Sequence, residues 1–157
     1  MSRWGIGIKM TILSLIYLTV AGYLTYLYPD VFLIDNVPYP FFVAIGIILL
    51  IVGIPMLVIS ARAFSAGFNK GKLVTTGIFS VVRNPIYAAW ILFILPGIMM
   101  FFQSWLMLAT SLVTYIVFKA FIREEEQYLE KTFGQAYLDY KSKVNELFPF
   151  PKSHRQG

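Results

Sequence analysis

Long apolar stretches without a charged residue limit most strongly how this chain can fold. Residues 10–28 and 41–61 contain no charge and are 19 and 21 residues long. At about 1.5 Å per residue, a helix of either length matches a hydrocarbon core of roughly 30 Å. Because lipid leaves no partner for unpaired backbone groups, both stretches predict transmembrane helices.

A third uncharged stretch is too long for a single crossing. Residues 84–118 are 35 residues long, which is about 52 Å of helix. Gln103 and Ser104 are the most polar residues near its middle, so we expect the chain to turn there. The sequence therefore predicts a helical hairpin, with spans at about 85–101 and 104–122.

The composition supports this interpretation. Hydrophobic residues make up 58% of the chain and charged residues 13%, against about 45–50% and 25% in soluble domains. We expect residues 1–157 to form a single all-α integral membrane domain. It would contain about four transmembrane helices, including the hairpin, and a cytoplasmic C-terminal helix.

The positions of lysine and arginine predict the orientation in the membrane. Arg3 and Lys9 precede the first span, and further basic residues fill the loop at 62–84 and the segment at 123–157. The two opposite loops contain no basic residue. Since basic residues favour the cytoplasmic side, four crossings with both termini in the cytoplasm satisfy every loop.

Several functions are excluded or disfavoured. The chain contains no cysteine, and its single His154 lies in a polar tail, so we expect no metal site. The net charge of +5 does not indicate nucleic-acid binding, because the basic residues flank apolar stretches. Anionic lipid headgroups are the simpler partners for these residues.

The loop at 62–84 is too apolar for a solvated linker. Asn69 and Gly77 favour turns, and we expect the loop to fold back onto the membrane domain. Arg83 and Asn84 precede a proline that suits the first turn of a helix, with Tyr87 one half-turn further. Together these side chains predict an anion site at a helix N-terminus.

Two acidic residues after the last span lie on an apolar face. Glu125 and Glu126 fall at helical spacing from leucine and phenylalanine side chains. A carboxylate there needs a cation, hydrogen-bond donors or water, because burying it unpaired is costly. Arg83 and Arg123 are the expected partners, whereas Glu124 is expected to be a solvated charge.

The order of several short motifs resembles the isoprenylcysteine carboxyl methyltransferase and phospholipid methyltransferase superfamily. The chain contains LVTTG at 73–77, VRNPIY at 82–87, Glu125, Glu126, Leu129, Phe133, Gly134, Tyr137, Tyr140, Val144, Phe148 and Pro149. The isoprenylcysteine enzymes usually have histidine where this chain has Asn84. An Asn-Pro-x-Tyr sequence at this point instead resembles the phosphatidylethanolamine N-methyltransferases.

This resemblance implies an S-adenosylmethionine-dependent methyltransferase of a bacterial or archaeal cytoplasmic membrane. The acceptor would be a lipophilic molecule, such as a prenylcysteine-like carboxylate or a phospholipid amine. Arg83 and Glu125 would be the best candidates for a catalytic role. The resemblance places eight residues around the cofactor: Leu73, Val74, Gly77, Arg83, Asn84, Tyr87, Glu125 and Glu126.

Two other functions stay open at this point. A sterol-reductase-like oxidoreductase would use NADPH, and a non-catalytic membrane adaptor would bind neither cofactor. The sequence does not identify the methyl acceptor or the oligomeric state, because acceptor specificity depends on the shape of the pocket.

Overall fold

The computed structural model describes residues 5–68 and 70–149, so Arg3, Asn69 and His154 lie outside the described residues. Four helices form the body of the protein, and a fifth follows them. They are α1 (Gly5–Leu27), α2 (Tyr39–Phe68), α3 (Pro85–Met100), α4 (Trp105–Phe133) and α5 (Gln135–Lys143). Over the described residues the fold is all-α, as predicted.

Three of these helices are long and apolar enough to cross a membrane, namely α1, α2 and α4. The helix α3 is shorter, and its 16 residues extend about 24 Å. It forms the first arm of a hairpin with α4. The protein is therefore an integral membrane protein whose helices carry lipid-facing side chains on most of their surface.

Two helices extend beyond the predicted spans. The helix α1 begins at Gly5, before Lys9, and α2 continues past Arg62 to Phe68. A charged residue ends an apolar stretch but does not interrupt helical hydrogen bonding, and its long side chain can reach the membrane surface. The first part of the predicted loop at 62–84 is consequently helical.

The chain reverses between α3 and α4 at the predicted position. Gln103 has a φ of 50°, and its amide donates hydrogen bonds to the carbonyl oxygens of Ile34 (2.8 Å) and Val37 (2.9 Å). The Ser104 hydroxyl accepts a bond from the N–H of Met107 and caps the start of α4. These two polar side chains therefore fix the hairpin turn and join it to the connection between α1 and α2.

The helix α3 contains a π-helical segment, Ala89–Ile94, directly before Pro96. Proline has no N–H to donate, and a wider turn before it relieves the missing hydrogen bond. Here α3 also packs closely on α2: a Cβ atom at Gly46 would lie 2.8 Å from the carbonyl oxygen of Gly97. Glycine at position 46 thus permits the close approach of the two helices.

Hydroxyl groups join α1 to α4 within the apolar interior. The hydroxyls of Ser14 and Thr114 lie 2.7 Å apart, and those of Thr25 and Ser104 lie 3.0 Å apart. Ser14 and Thr114 are buried, so each hydroxyl satisfies a group that lipid could not solvate. This pairing fixes how α1 is aligned along α4.

Replacing Gly46 by alanine is expected to destabilise the protein. The new methyl group would collide with backbone of α3, and such overpacking costs about 1–3 kcal/mol. Thermal unfolding in detergent should show a lower melting temperature. Gly22→Ala is the matched control, since a Cβ at Gly22 meets no atom within 4 Å; equal destabilisation by both variants would contradict this account.

Candidate active site at the charged end of the helices

Most of the charged side chains lie together at one end of the helices. Lys9 near the start of α1 bonds Glu124 near the end of α4, with Nζ 2.9 Å from Oε2. The loop before α3 contacts α5 at this same end, because the Tyr140 hydroxyl bonds the loop and Arg83 bonds the end of α5. The sequence prediction that Glu124 is simply solvated was incomplete, since Lys9 is its partner.

Arg83 links three parts of the chain. Its Nη1 donates hydrogen bonds to the carbonyl oxygens of Lys141 (3.1 Å) and Val144 (3.3 Å) at the end of α5. Its Nη2 forms an ion pair with Glu126 of α4. The Arg83 side chain is only 6% exposed, and cationic donors at the C-terminal carbonyls of a helix are favourably placed. Arg83 therefore holds α5 against α4.

Glu126 binds a second cation that the sequence analysis did not identify. Lys141 Nζ lies 2.8 Å from its Oε2, whereas Arg123, the other expected partner, is exposed. Tyr140 and Lys141 follow Tyr137 by three and four residues, the spacings that share a helix face, and both tyrosines are buried. That spacing was the available signal that α5 turns this face towards α4.

The buried tyrosines of α5 are uncharged at neutral pH. The Tyr140 hydroxyl donates to the carbonyl oxygen of Phe79 at 2.6 Å, which attaches the loop before α3 to α5. Burial raises the pKa of Tyr140 to about 12. Burial, and secondly the negative charge of Glu126, also raises the pKa of Tyr137. Both phenols therefore keep their protons at neutral pH.

Glu125 has a different environment from its neighbour Glu126. Its Oε2 accepts a hydrogen bond from the Tyr87 hydroxyl at 3.0 Å, and the Tyr87 ring packs against Phe118 with centroids 5.3 Å apart. Within the described residues, Glu125 forms no ion pair. A partly buried carboxylate is thus left with a phenol as its partner and without a cation.

Asn84 is engaged by the segment that follows α5. Its backbone N–H bonds the carbonyl oxygen of Glu146 at 3.0 Å, and its Nδ2 approaches the same oxygen at 3.4 Å. The Nη groups of Arg83 and the backbone N–H of Asn84, predicted to hold an anion, are thus bound by protein groups, whereas Arg83 Nε is buried and has no hydrogen-bond partner among the described residues. The sequence could not show this, because the acceptors lie about 60 residues further along the chain.

The first half of the loop before α3 packs against the end of α2. Val74 packs against Gly67 at the end of α2, where a Cβ atom would lie 2.1 Å from Val74 Cγ2. Leu73 is half-buried, and Gly77 has a φ of 62°, which favours glycine. Arg83 pairs with Glu126 and Tyr87 bonds Glu125, while Asn84 bonds Glu146. These contacts do not include Leu73, Val74 or Gly77.

Comparison with known proteins identifies similar sequences. The phospholipid methyltransferase family matches residues 40–136, which is more than half of the chain. The chain is also similar to protein-S-isoprenylcysteine O-methyltransferases. It is 32% identical to the Xenopus laevis protein over 84 residues and 37% identical to the Schizosaccharomyces pombe protein over 82 residues.

These similarities cover only part of each relative. The matched region is 54% of this chain and 29% of the Xenopus laevis protein, and 52% and 35% for the Schizosaccharomyces pombe protein. For the Arabidopsis thaliana relative, protein-S-isoprenylcysteine O-methyltransferase B, the shares are 50% and 40%, with 30% identity. No solved structure matches the chain at a comparable level of significance.

Breaking the ion pair of Arg83 is expected to destabilise the C-terminal segment strongly. Arg83→Met leaves Glu126 with Lys141 as its remaining cation, so the loss should exceed that of an exposed pair but stay below the cost of an uncompensated buried charge, about 3–5 kcal/mol. Unfolding in mixed micelles would measure the loss. The control is Lys9→Met, because its exposed pair contributes about 1 kcal/mol or less; equal losses in the two variants would contradict the role given to Arg83.

Proposed function

The chain belongs to the phospholipid methyltransferase family, and we propose that it transfers a methyl group from S-adenosylmethionine to a lipophilic acceptor. The chain matches only part of each relative, so the proposal rests on the site as well as on the family. The acceptor class would be a lipid or prenylated molecule with its reactive atom at the membrane boundary.

The observation that carries the proposal is the environment of Glu125. Its carboxylate is partly buried, accepts one hydrogen bond from Tyr87 and has no cation within the described residues. S-adenosylmethionine carries two cationic groups, an ammonium and a sulfonium. A buried carboxylate without a counter-ion fits such a ligand, because the ligand would complete an ion pair that the protein leaves open.

The residues around Glu125 suit methyl transfer. When bound, the cofactor supplies an electrophilic methyl group, and the transfer requires alignment and exclusion of water more than a general base. The rings of Tyr87 and Phe118 form an apolar wall beside the carboxylate. Aromatic faces stabilise nearby cations and keep water away from them.

Arg83 and Asn84 have a positioning role in this proposal. Arg83 binds Glu126 and the end of α5, so it fixes the backbone from which Glu125 projects. Asn84, at the start of α3, donates its backbone N–H to the carbonyl oxygen of Glu146. Leu73, Val74 and Gly77 belong to the loop that we propose covers the cofactor.

We also propose that the charged end of the helices faces the cytoplasm of a bacterial or archaeal cell. The proposal follows from the lysine and arginine residues gathered at this end. It places both termini and the candidate site on the side where the cofactor is made. A lipophilic acceptor would then enter laterally from the membrane.

Cysteine labelling tests this orientation, since the chain has no cysteine of its own. Asp35→Cys lies in the connection between α1 and α2, and Lys143→Cys lies at the end of α5; both residues are exposed. In intact bacterial cells a membrane-impermeant maleimide should label position 35 and not position 143. Permeabilised cells should show labelling at both, and the reverse pattern in intact cells would overturn the orientation.

The cofactor site is tested by replacing Glu125 with glutamine. This change removes the negative charge and keeps the shape, and a charge-assisted hydrogen bond contributes about 1.5–3 kcal/mol, or roughly ten- to a hundredfold in affinity. Calorimetry in detergent should show that weakening for S-adenosylhomocysteine, which retains the ammonium group.

The neighbouring Glu124→Gln is the matched control. The Glu124 side chain is 60% exposed and bonds Lys9 and not Tyr87. The affinity of the Glu124→Gln variant for S-adenosylhomocysteine should therefore equal that of the wild type. Thermal stabilisation by NADPH instead of S-adenosylhomocysteine would contradict the proposed cofactor, and unchanged affinity in Glu125→Gln would contradict the proposed site.

A further inference from the structure

A groove lies between α4 and the segment that follows α5. It has a volume of about 240 Å³, and both polar and apolar residues line it. The polar part includes the ion pair between Lys119 of α4 and Glu146. The lining residues are Tyr115, Lys119, Asn145, Glu146, Leu147 and Phe148.

The groove shares a wall with the candidate cofactor site. The Glu146 carbonyl oxygen accepts the hydrogen bond from the Asn84 backbone at the start of α3. Leu147 is buried in the same apolar cluster as Phe118, against which Tyr87 and Tyr115 both pack. One apolar cluster therefore borders the groove through Leu147 and the Tyr87–Glu125 pair through Phe118.

The predicted spans place the groove near the membrane boundary. Lys119 follows Tyr115 by one turn of α4, near the predicted end of the last span at residue 122. Tyrosine, phenylalanine and lysine at a span end are typical of the membrane interface. Leu112 and Ile116 precede Lys119 on the same face of α4 and are 61% and 57% exposed, which continues this face into the hydrocarbon.

The ion pair in the groove can exchange its anion. The side chains of Lys119 and Glu146 are 47% and 20% exposed, and ion pairs of this exposure add little net stability. An acidic headgroup that enters the groove can consequently replace Glu146 as the partner of Lys119. The buried pair of Arg83 and Glu126 offers no such access.

We propose that this groove binds the acidic headgroup of the lipid acceptor, with Lys119 as the residue that binds its phosphate or carboxylate. The proposal rests on the proposed methyltransferase function, which it extends by assigning an acceptor site. Acyl or prenyl chains would lie along Leu112 and Ile116, and the headgroup would reach the wall formed by Tyr87 and Phe118.

Binding of defined lipids to the full chain in a neutral detergent tests the proposal. The probes are dioleoyl phosphatidic acid and oleate, compared with the uncharged dioleoylglycerol and methyl oleate. Fluorescence anisotropy of a chain-labelled phosphatidic acid, displaced by each probe, gives the affinities. We expect each acidic probe to bind about tenfold tighter than its uncharged counterpart, as for one charge-assisted hydrogen bond.

Three variants of the groove give results of opposite sign. Lys119→Gln should remove the preference for acidic probes, and Lys119→Arg should retain it. Glu146→Gln should tighten the binding of acidic probes, because it removes the carboxylate that competes for Lys119. Lys131→Gln, a matched loss of charge at an exposed position of α4, should change nothing.

Other outcomes overturn the proposal. One is a preference for acidic lipids that survives Lys119→Gln. Another is equal weakening of acidic-lipid binding by Lys119→Gln and Glu146→Gln, which would show that the ion pair is purely structural. Inorganic phosphate that competes as well as phosphatidic acid would show an anion site without lipid specificity. A stronger response to phosphatidic acid or to oleate supports the proposal and identifies the acidic group.

Binding of S-adenosylhomocysteine, measured in the same samples, separates this proposal from the proposed function. If S-adenosylhomocysteine binds but acidic lipids show no preference, the groove is not the acceptor site and the function stands. If S-adenosylhomocysteine fails to bind the wild type, the proposed function fails, and the acceptor role of the groove fails with it.

Discussion

The charged end of the protein depends on the buried ion pair between Arg83 and Glu126. Arg83 lies in the loop before α3, Glu126 lies near the end of α4, and the same guanidinium binds carbonyl oxygens at the end of α5. Three segments that are distant in sequence thus meet at one group. Since Lys141 adds a second cation to Glu126, the buried charges at this point are compensated, as the low polarity of the surroundings requires.

This arrangement gives two adjacent glutamates different roles. Glu126 is bound on both oxygens by protein cations, whereas Glu125 faces a phenol and an aromatic wall. The proposed cofactor site at Glu125 follows from the family assignment and from a carboxylate that has no cation within the described residues. The groove at Lys119 borders the apolar cluster that contains Phe118, and in the proposed function a lipid would meet the cofactor beside this cluster without leaving the membrane.

The sequence predicted the fold class, the turn at Gln103 and Ser104, and the family, because each depends on local patterns of hydropathy or on short motifs. It also predicted that Glu125 and Glu126 need partners, and it named Arg83 correctly as one of them. It missed Lys141, because α5 reaches Glu126 only after the chain turns at Gly134. The helix α1 begins before the predicted span at 10–28, and α2 extends beyond the predicted span at 41–61, since a charge marks the edge of an apolar stretch and not the end of a helix.

The sequence by itself determined that the chain is a membrane protein with most of its charges at one end. Transfer of side chains between water and lipid is a property of each residue, so it can be read in order along the chain. The tertiary structure decided which carboxylate stays without a cation and which donors are already bound. Arg83 and Lys141 pair with Glu126, and Lys119 pairs with Glu146, whereas Glu125 has no cation within the described residues. These pairs form only when α5 and the segment after it pack against α4, so they cannot be read along the chain.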